Sequence, residues 1–461
     1  MFVNIWIHIP MNRSGGTRKT SKRTGAFSMN NNVESVSYAD QLSDSTRKRF
    51  RLYAYATSWS GGFADIILEN SAIIILYFAV LGANNRLIMF STGMSGLVYM
   101  FLLIPSSGLV DWLGPKKVVY WSASMACFSY LLMASAPFFG TAWAQYVVLI
   151  GCLLFCLSKP LWVASWFPIV GDILKPEERG EFFGFMRFSY FTLTGTVLFL
   201  VGLFLGKNPP LWLLQIVMGL TGVLVLGRIL FISRIRTREH CRQNYDLKKA
   251  FKISIRNSPL VGFSAYIGFL FAAFGSVIPL TLIYMKNGLQ YRADAVQTLS
   301  SVGVAGCIIG YFFYGRIVRK IGMLSFQLLV HAAYILIPLG LFFCHPSPWL
   351  MGIFLFAANF CLAGFGCAVS TEILALAKPG NLSMANAFAH TYQYTGTAFG
   401  RTVTSFLLGN GILSAFWQCG EIRISHFQTI FLFCAGAAVF SLILLFCLPS
   451  MVPRHDDYYQ P

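Results

Sequence analysis

The sequence predicts an all-α polytopic membrane protein with twelve transmembrane helices in two six-helix bundles. Two observations carry this prediction. Of the 461 residues, 56% are hydrophobic and only 11% are charged, whereas soluble domains carry about 25% charged residues. About twelve apolar stretches recur along the chain, each near the roughly 20 residues that cross a bilayer core of about 30 Å. A water-soluble globular protein is therefore excluded.

The apolar segments form two groups of six. The first group lies at residues 53–83, 87–110, 118–139, 145–174, 182–206 and 211–232, and the second at 259–285, 295–314, 323–344, 348–377, 383–413 and 427–448. The predicted domains are a polar tail (1–51), an N-terminal bundle (52–232), a basic linker (233–258), a C-terminal bundle (259–448) and a second tail (449–461). Within the linker, residues 246–251 are expected to form a short amphipathic helix on the membrane surface.

The distribution of basic residues predicts the orientation. The linker carries eight Lys and Arg residues, which places it in the cytoplasm by the positive-inside rule. Both termini are then cytoplasmic as well. The loops on the other side hold few basic residues, namely Arg86, Lys207, Lys286, Arg292 and Arg423. We therefore expect a multi-pass protein of the plasma or inner membrane, functional as a monomer among membrane lipids, and the net charge of +18 does not indicate nucleic acid binding.

The sequence lacks the common catalytic and metal-binding patterns. It has no HExxH, no GxSxG, no Gly-rich phosphate loop and no cluster of histidines with its cysteines. We therefore expect no enzymatic activity, no cofactor, no metal site and no ATP-driven pumping by this chain alone.

An internal repeat relates the two groups of segments. Residues 175–196 and 378–397 lie at corresponding places, and each stretch runs from Lys-Pro to Thr-Gly-Thr. The stretch GLVDWLGPKK at 108–117 also matches GRIVRKIG at 315–322 loosely. Such repeats are typical of transporter folds.

The loop motifs of the first half resemble those of the major facilitator superfamily. The segment Gly108, Asp111, Gly114, Lys116 and Lys117 is similar to the glycine–aspartate–glycine–basic motif of that family, although Trp112 and Pro115 stand where basic residues are usual. We expect Gly108 and Gly114 to permit a tight cytoplasmic turn.

A second motif, Asp172 followed by Pro176 to Gly180, resembles the family's loop between helices 4 and 5. The resemblance implies that both motifs form a conformational gate. A charge network between Asp111 and Arg179 and simple solvated loop charges are both open at this point.

The resemblance covers about residues 52–448 and implies a secondary transporter that works by alternating access. In the family, helices 1, 4, 7 and 10 line a central cavity. Two of these helices carry charges here, which are costly at hydrocarbon depth and normally face a cavity and a partner.

In the first segment, Ser58, Gly62, Asp65 and Glu69 recur on one helical face, with Asn70 beside them. Two carboxylates one turn apart repel each other, which favours proton binding by one of them. In the fourth segment, Lys159 is expected to pair with Asp65 or Glu69, either as a switch used in transport or as a permanent structural salt bridge.

The second half offers neutral polar groups for a substrate. The candidates are Tyr266, Asn359, His390, Tyr392 and Gln393, although single polar residues in such helices more often make interhelical contacts. Four further charged residues are expected to snorkel towards the cytoplasmic surface, namely Arg187, Arg228, Glu372 and Arg401.

The leading functional hypothesis is a proton-coupled transporter of a small-molecule substrate, working as a symporter or an antiporter. An efflux pump for amphiphilic or drug-like compounds is the alternative. A membrane scaffold or sensor without transport is disfavoured, because intramembrane carboxylates without a function are costly.

Overall fold

The computed structural model describes residues 38–69, 71–175, 179–237, 247–343, 347–378, 381–409, 411–419 and 422–447. The helices before the linker are α1 (Tyr38–Gln41), α2 (Asp44–Glu69), α3 (Ile73–Val80), α4 (Asn85–Leu113), α5 (Pro115–Ser135), α6 (Thr141–Ile173), α7 (Arg179–Leu205), α8 (Leu211–Val225) and α9 (Gly227–Ser233). The linker contains α10 (Leu247–Ile255). The helices after it are α11 (Ser258–Phe274), α12 (Val277–Ile283), α13 (Ala293–Ile321), α14 (Met323–Phe343), α15 (Pro348–Leu376), α16 (Leu382–Gly409) and α17 (His426–Cys447). An antiparallel hairpin of β1 (Phe416–Cys419) and β2 (Ile422–Ser425) precedes α17.

Each predicted apolar segment coincides with one long helix or with a pair of consecutive helices. The first, sixth and seventh segments are the pairs α2/α3, α8/α9 and α11/α12. The helix α2 begins at Asp44, whereas the first apolar segment was predicted to begin at residue 53. The opening turns of α2 are helical but consist mainly of polar residues. Hydropathy alone detects the apolar part of such a helix and not its polar extension.

The described helices support a multi-pass integral membrane protein. Ten of them are long and apolar enough to cross a membrane, or eleven when the bent pair α2/α3, with an angle of 54°, counts as one span. The remaining long helix, α16, has 28 residues but carries several polar side chains, including His390, Gln393 and Arg401. The described helices thus provide ten or eleven candidate spans, and the twelfth span stays a prediction.

The two glycines of the first loop motif, Gly108 and Gly114, differ in their structural positions. Gly114 has φ 85° and lies between the two helices, with Pro115 at the start of α5, so that this position favours glycine. The expectation that Gly108 also forms the turn is wrong. The helix α4 continues through Pro105 to Leu113 and ends only at Gly114, so Gly108 lies inside it.

We call α2–α9 the N half and α11–α17 the C half. Within the N half α5 packs against α6 and α8, and within the C half α13 packs against α15 and α14 against α17. The most extensive contacts between the halves are those of α4 with α16 and of α7 with α13, and α4 also packs against α12. At the first of them, a Cβ on Gly96 would lie only 2.7 Å from the carbonyl oxygen of Tyr394. Small residues thus let the two halves approach closely.

The halves also contact each other at the end of the bundle away from the linker, which we call the distal end. There the Asp294 amide donates to the Gly206 carbonyl at 3.1 Å, and the Ser405 hydroxyl donates to the Arg86 carbonyl at 2.8 Å. Nearer the centre, the Ala72 amide after the α2 break donates to Ser300 Oγ at 3.1 Å. Hydrogen bonds of both halves therefore close the distal end in this structure.

Candidate functional site

The polar stripe of α2 faces the interior of the protein. Ser58 is buried, and Gly62 lies against the ring of Tyr190 on α7, where a Cβ would come within 2.8 Å of Cδ2. Asp65 and Glu69 follow on the same face, with side chains 24% and 28% exposed. These carboxylates are therefore partly exposed, whereas Ser58 and Gly62 are packed against other groups. Asn70, the other predicted member, lies outside the described residues.

Four charged side chains meet at this stripe, and we call Asp65, Glu69, Lys159 and Arg228 the central ion cluster. The Lys159 ammonium donates a hydrogen bond to Glu69 Oε1, and its Nζ lies 3.6 Å from Asp65 Oδ1. Arg228 Nη2 donates to Asp65 Oδ2 at 2.7 Å. Two cations thus neutralise two carboxylates, which offsets the cost of burying the charges.

Lys159 lies in the middle of α6 and is almost fully buried. Its side chain is 7% exposed, and the ammonium also lies 5.9 Å from the ring centre of Tyr99 on α4. The helix α6 continues through Pro160 and Pro168, although each proline removes one backbone hydrogen bond. The structure thus brings together Lys159 and both carboxylates that were considered as its partners.

The position of Arg228 corrects an expectation from the sequence. It was expected to snorkel, but it is only 2% exposed and pairs with Asp65. The guanidinium lies 4.0 Å from the ring centre of Trp162. Gly61 makes this possible, because a Cβ at that position would lie 1.7 Å from Arg228 Nε. The adjacent glycines Gly61 and Gly62 were the signal in the sequence that a large side chain packs against α2.

The other three charged residues expected to snorkel also turn inward. Arg401 donates to the carbonyl oxygens of Thr92 on α4 and of Gly275, at the end of α11. Arg187 donates to Cys367 Sγ. Glu372 is 1% exposed, and neither of its carboxylate oxygens has a hydrogen-bond partner among the described residues. The expectation that these side chains snorkel is therefore wrong, because neighbouring helices cover them.

Two substrate candidates of the C half are engaged in helix packing. The Tyr266 hydroxyl is 3.0 Å from His331 Nδ1, and His331 Nε2 is 2.8 Å from the Ala438 carbonyl, which ties α11, α14 and α17 together. Asn359 Nδ2 donates to the Leu355 carbonyl at 2.8 Å. Both candidates are almost fully buried. Their polar atoms therefore serve as interhelical or intrahelical contacts in this conformation.

The remaining candidates lie within one turn of α16. His390 Nδ1 and Gln393 Oε1 are 2.9 Å apart, and Tyr392 is 36% exposed. The neighbouring Tyr394 stacks on Tyr99 of α4 with 4.0 Å between ring centres and an angle of 8°. Because Tyr99 also faces Lys159, one aromatic pair connects the ion cluster of the N half with the C half.

The predicted gate is described only in part. Asp172 is buried near the end of α6, and Lys116 and Lys117 lie in the first turn of α5. The side chains of Asp111 and Arg179 lie outside the described part of the chain, so the predicted network between them stays a prediction.

Comparison with known proteins identifies the family. A family model described as Major Facilitator Superfamily matches residues 54–401, which is well over half of the chain. The chain belongs to the major facilitator superfamily. No curated protein sequence matches it.

Solved structures of this superfamily share the fold. The chain is similar to the nucleoside transporter NupG (14% identity, TM-score 0.61, covering 88% of this chain and 98% of NupG) and to a D-xylose-proton symporter (12% identity, TM-score 0.66, covering 90% and 99%). It is also similar to a bacterial homologue of the iron transporter ferroportin in an outward-facing state (12% identity, TM-score 0.60, covering 88% and 99%). Such low identities establish the fold alone. Together with the family match, they show a multi-pass membrane transporter.

Proposed function

We propose that this chain is a proton-coupled secondary transporter of a small solute, and that the central ion cluster carries the coupled proton. The observation that carries the proposal is the Lys159 ammonium between Asp65 and Glu69. A charged side chain at this depth costs about 3 kcal/mol on insertion scales. Among the described charged residues, Lys159 is the one that contacts two carboxylates at once.

The proposed coupling step follows from the contacts of Lys159. Protonation of Glu69 removes its negative charge and releases the ammonium from that side, while Asp65 remains bound to Arg228. Lys159 also faces Tyr99, which stacks on Tyr394 across the boundary of the halves. A change in the ion pair therefore affects the stacking of Tyr99 on Tyr394, and this contact must break when the two halves rotate against each other.

The solute is proposed to bind between the cluster and α16. His390, Tyr392 and Gln393 offer hydrogen-bonding groups there, whereas Tyr266 and Asn359 are occupied by neighbouring helices. The twelve-span topology, the cytoplasmic termini, the plasma-membrane location and the gate formed by Gly114, Asp172 and the loop lysines belong to the same proposal.

Uptake into proteoliposomes tests this function. We expect an imposed pH gradient to accelerate uptake of at least one of labelled uridine, xylose, succinate and phosphate by the wild-type protein. Lys159→Ala should abolish this acceleration, because the proton on Glu69 would no longer control an ion pair. Lys207→Ala is the matched control, since it removes an exposed loop lysine outside the cluster and should leave uptake unchanged.

Two results would contradict the proposal. One is wild-type uptake that ignores the gradient for every solute in the panel, and the other is a gradient effect that survives in Lys159→Ala. The second result would make the ion pair a structural salt bridge.

A further inference from the structure

Arg187 is a charged side chain at membrane depth that the coupling step does not use. It lies on α7 of the N half, and Nη1 donates to Cys367 Sγ on α15 at 3.4 Å. Its guanidinium carbon lies 5.6 Å from the ring centre of Tyr311 on α13. Both partners belong to the C half, so this guanidinium bridges the boundary between the two halves.

The described partners of Arg187 are a thiol and a phenol ring, which distinguishes it from the other described cations at this depth. Lys159 and Arg228 each contact a carboxylate. Arg401 donates to two backbone carbonyl oxygens. Within the described part of the chain, no carboxylate lies within ion-pair distance of Arg187, although a thiol and a phenol ring compensate a guanidinium charge only weakly.

Glu372 is not the carboxylate partner of Arg187, although it lies on the same helix as Cys367. It follows Cys367 by five residues, which places it about 140° further around α15. It is 1% exposed, and neither carboxylate oxygen has a hydrogen-bond partner among the described residues. The side chains of Arg187 and Glu372 therefore do not form an ion pair in this conformation.

Arg187 shares its surroundings with the proposed solute site. His390 of α16 is a candidate of that site, and its ring nitrogen contacts Gln393. One turn along α7, the ring of Tyr190 packs against Gly62, which precedes Asp65 by one turn on the stripe of α2. The guanidinium and the ion cluster thus lie on two sides of the same central region.

A substrate anion would supply the missing charge. The guanidinium stays charged and presents a planar fork of donors that matches a carboxylate or a phosphate. Resting on the proposed transport function, we propose that the transported solute is an organic anion with a carboxylate or phosphate group, and that Arg187 binds this group. The anion then contacts Arg187 of the N half together with groups of the C half, while Glu69 takes the proton.

Matched pairs of acids and neutral analogues test this proposal without a membrane gradient. The purified protein is heated with succinate or succinamide, benzoate or benzamide, and glucose 6-phosphate or glucose, at constant pH and ionic strength. We expect at least one acid to raise the melting temperature while its neutral analogue does not. In Arg187→Gln the affinity for that acid should fall roughly ten- to a hundredfold, because a charge-assisted hydrogen bond is lost.

The matched control is Arg316→Gln. Arg316 is an exposed arginine on α13 whose guanidinium lies 4.8 Å from the ring centre of Phe312, so it has the same charge and a similar aromatic contact outside the site. Acid binding should be unchanged in this variant. Arg187→Lys should bind the acid with an affinity between those of the wild type and Arg187→Gln, because the charge remains and the planar fork is lost.

Labelling of Cys367 provides a second readout if Arg187→Gln does not fold. In the wild-type protein, an anionic methanethiosulfonate should modify Cys367 roughly tenfold faster than a cationic one, and the stabilising acid should protect it. Cys361, on the same helix and also partly exposed, is the control and should show no such preference.

Three results would overturn the proposal, namely equal binding of an acid and its neutral analogue, undiminished acid binding by Arg187→Gln, or no stabilisation by any acid together with no charge preference at Cys367. None of these readouts involves a proton gradient. Failure of proton coupling would leave them unchanged, so the two proposals fail separately.

Discussion

Gly61 decides whether the central ion cluster can form. Its missing side chain leaves the space in which Arg228 reaches Asp65, since a Cβ would lie 1.7 Å from Arg228 Nε. Asp65 lies on α2 and Arg228 on α9. The absence of a side chain at Gly61 therefore allows an ion pair between two distant helices of the N half.

Gly61→Ala should therefore destabilise the purified protein by about 3 kcal/mol, the cost of breaking a buried ion pair. The melting temperature in detergent measures this loss. Gly184→Ala is the control, because a Cβ there meets no atom within 4 Å. Equal melting temperatures for the two variants would show that Arg228 is not held by this contact.

At the level of single residues, the sequence predicted part of the site. Lys159 with Asp65 or Glu69 could be expected, because charges at hydrocarbon depth seek opposite charges. Arg228 could not, since its partner depends on the break between α8 and α9 and on the space above Gly61. The inward contacts of Arg187 and Arg401 likewise depend on how the halves pack, which no pattern along one helix reveals.

The turn between α4 and α5 shows how one glycine fixes the junction of two elements. Gly114 has a positive φ and ends α4, whereas Gly108 is an ordinary helical residue. The two glycines belong to one motif in the sequence, yet their backbone conformations differ.

These positions should respond to alanine in opposite ways. Gly114→Ala should lower the free energy of unfolding by about 1 kcal/mol, because an L-residue is strained at positive φ. Gly108→Ala should gain up to about 1 kcal/mol, because alanine favours a helix interior. Thermal unfolding of the two variants measures both effects, and a stabilising Gly114→Ala would contradict the assigned turn.

Whole helices were easier to predict than their interruptions. The predicted segments reproduce the boundaries of α14 and α17 to within one residue. The breaks after Glu69 and after Phe274 were not predicted. Hydropathy stays high across the second break, and the polar residues 69–71 at the first break also fit a continuous helix with a polar face. At the first break, the contact of Ala72 with Ser300 is a tertiary interaction that replaces part of the lost helical hydrogen bonding.

On the scale of the whole molecule, the distal end holds the two halves together in this structure. Asn287 donates to the side chain of Asn85 across the boundary, close to the hydrogen bonds of Arg86 and Gly206. Alternating access requires that such contacts open during each cycle.

A cross-link at this contact should therefore stop transport. The double variant Asn85→Cys and Asn287→Cys should lose uptake after oxidation and regain it after reduction, because a disulfide would hold the distal end closed. Each single variant serves as the control and should be unaffected by oxidation. Uptake that persists in the oxidised double variant, with the disulfide verified by mass spectrometry, would exclude opening at this end.

We propose that Glu69 carries the coupled proton, and the variant Glu69→Gln separates this role from a purely structural one. Two modes of uptake are compared in proteoliposomes with the panel solute that the wild type takes up fastest, namely uptake driven by a pH gradient and exchange of labelled for unlabelled solute without a gradient. We predict that the variant loses the first mode and keeps the second, because an amide cannot exchange a proton while the solute site remains intact. Gradient-driven uptake that persists in Glu69→Gln would contradict the account.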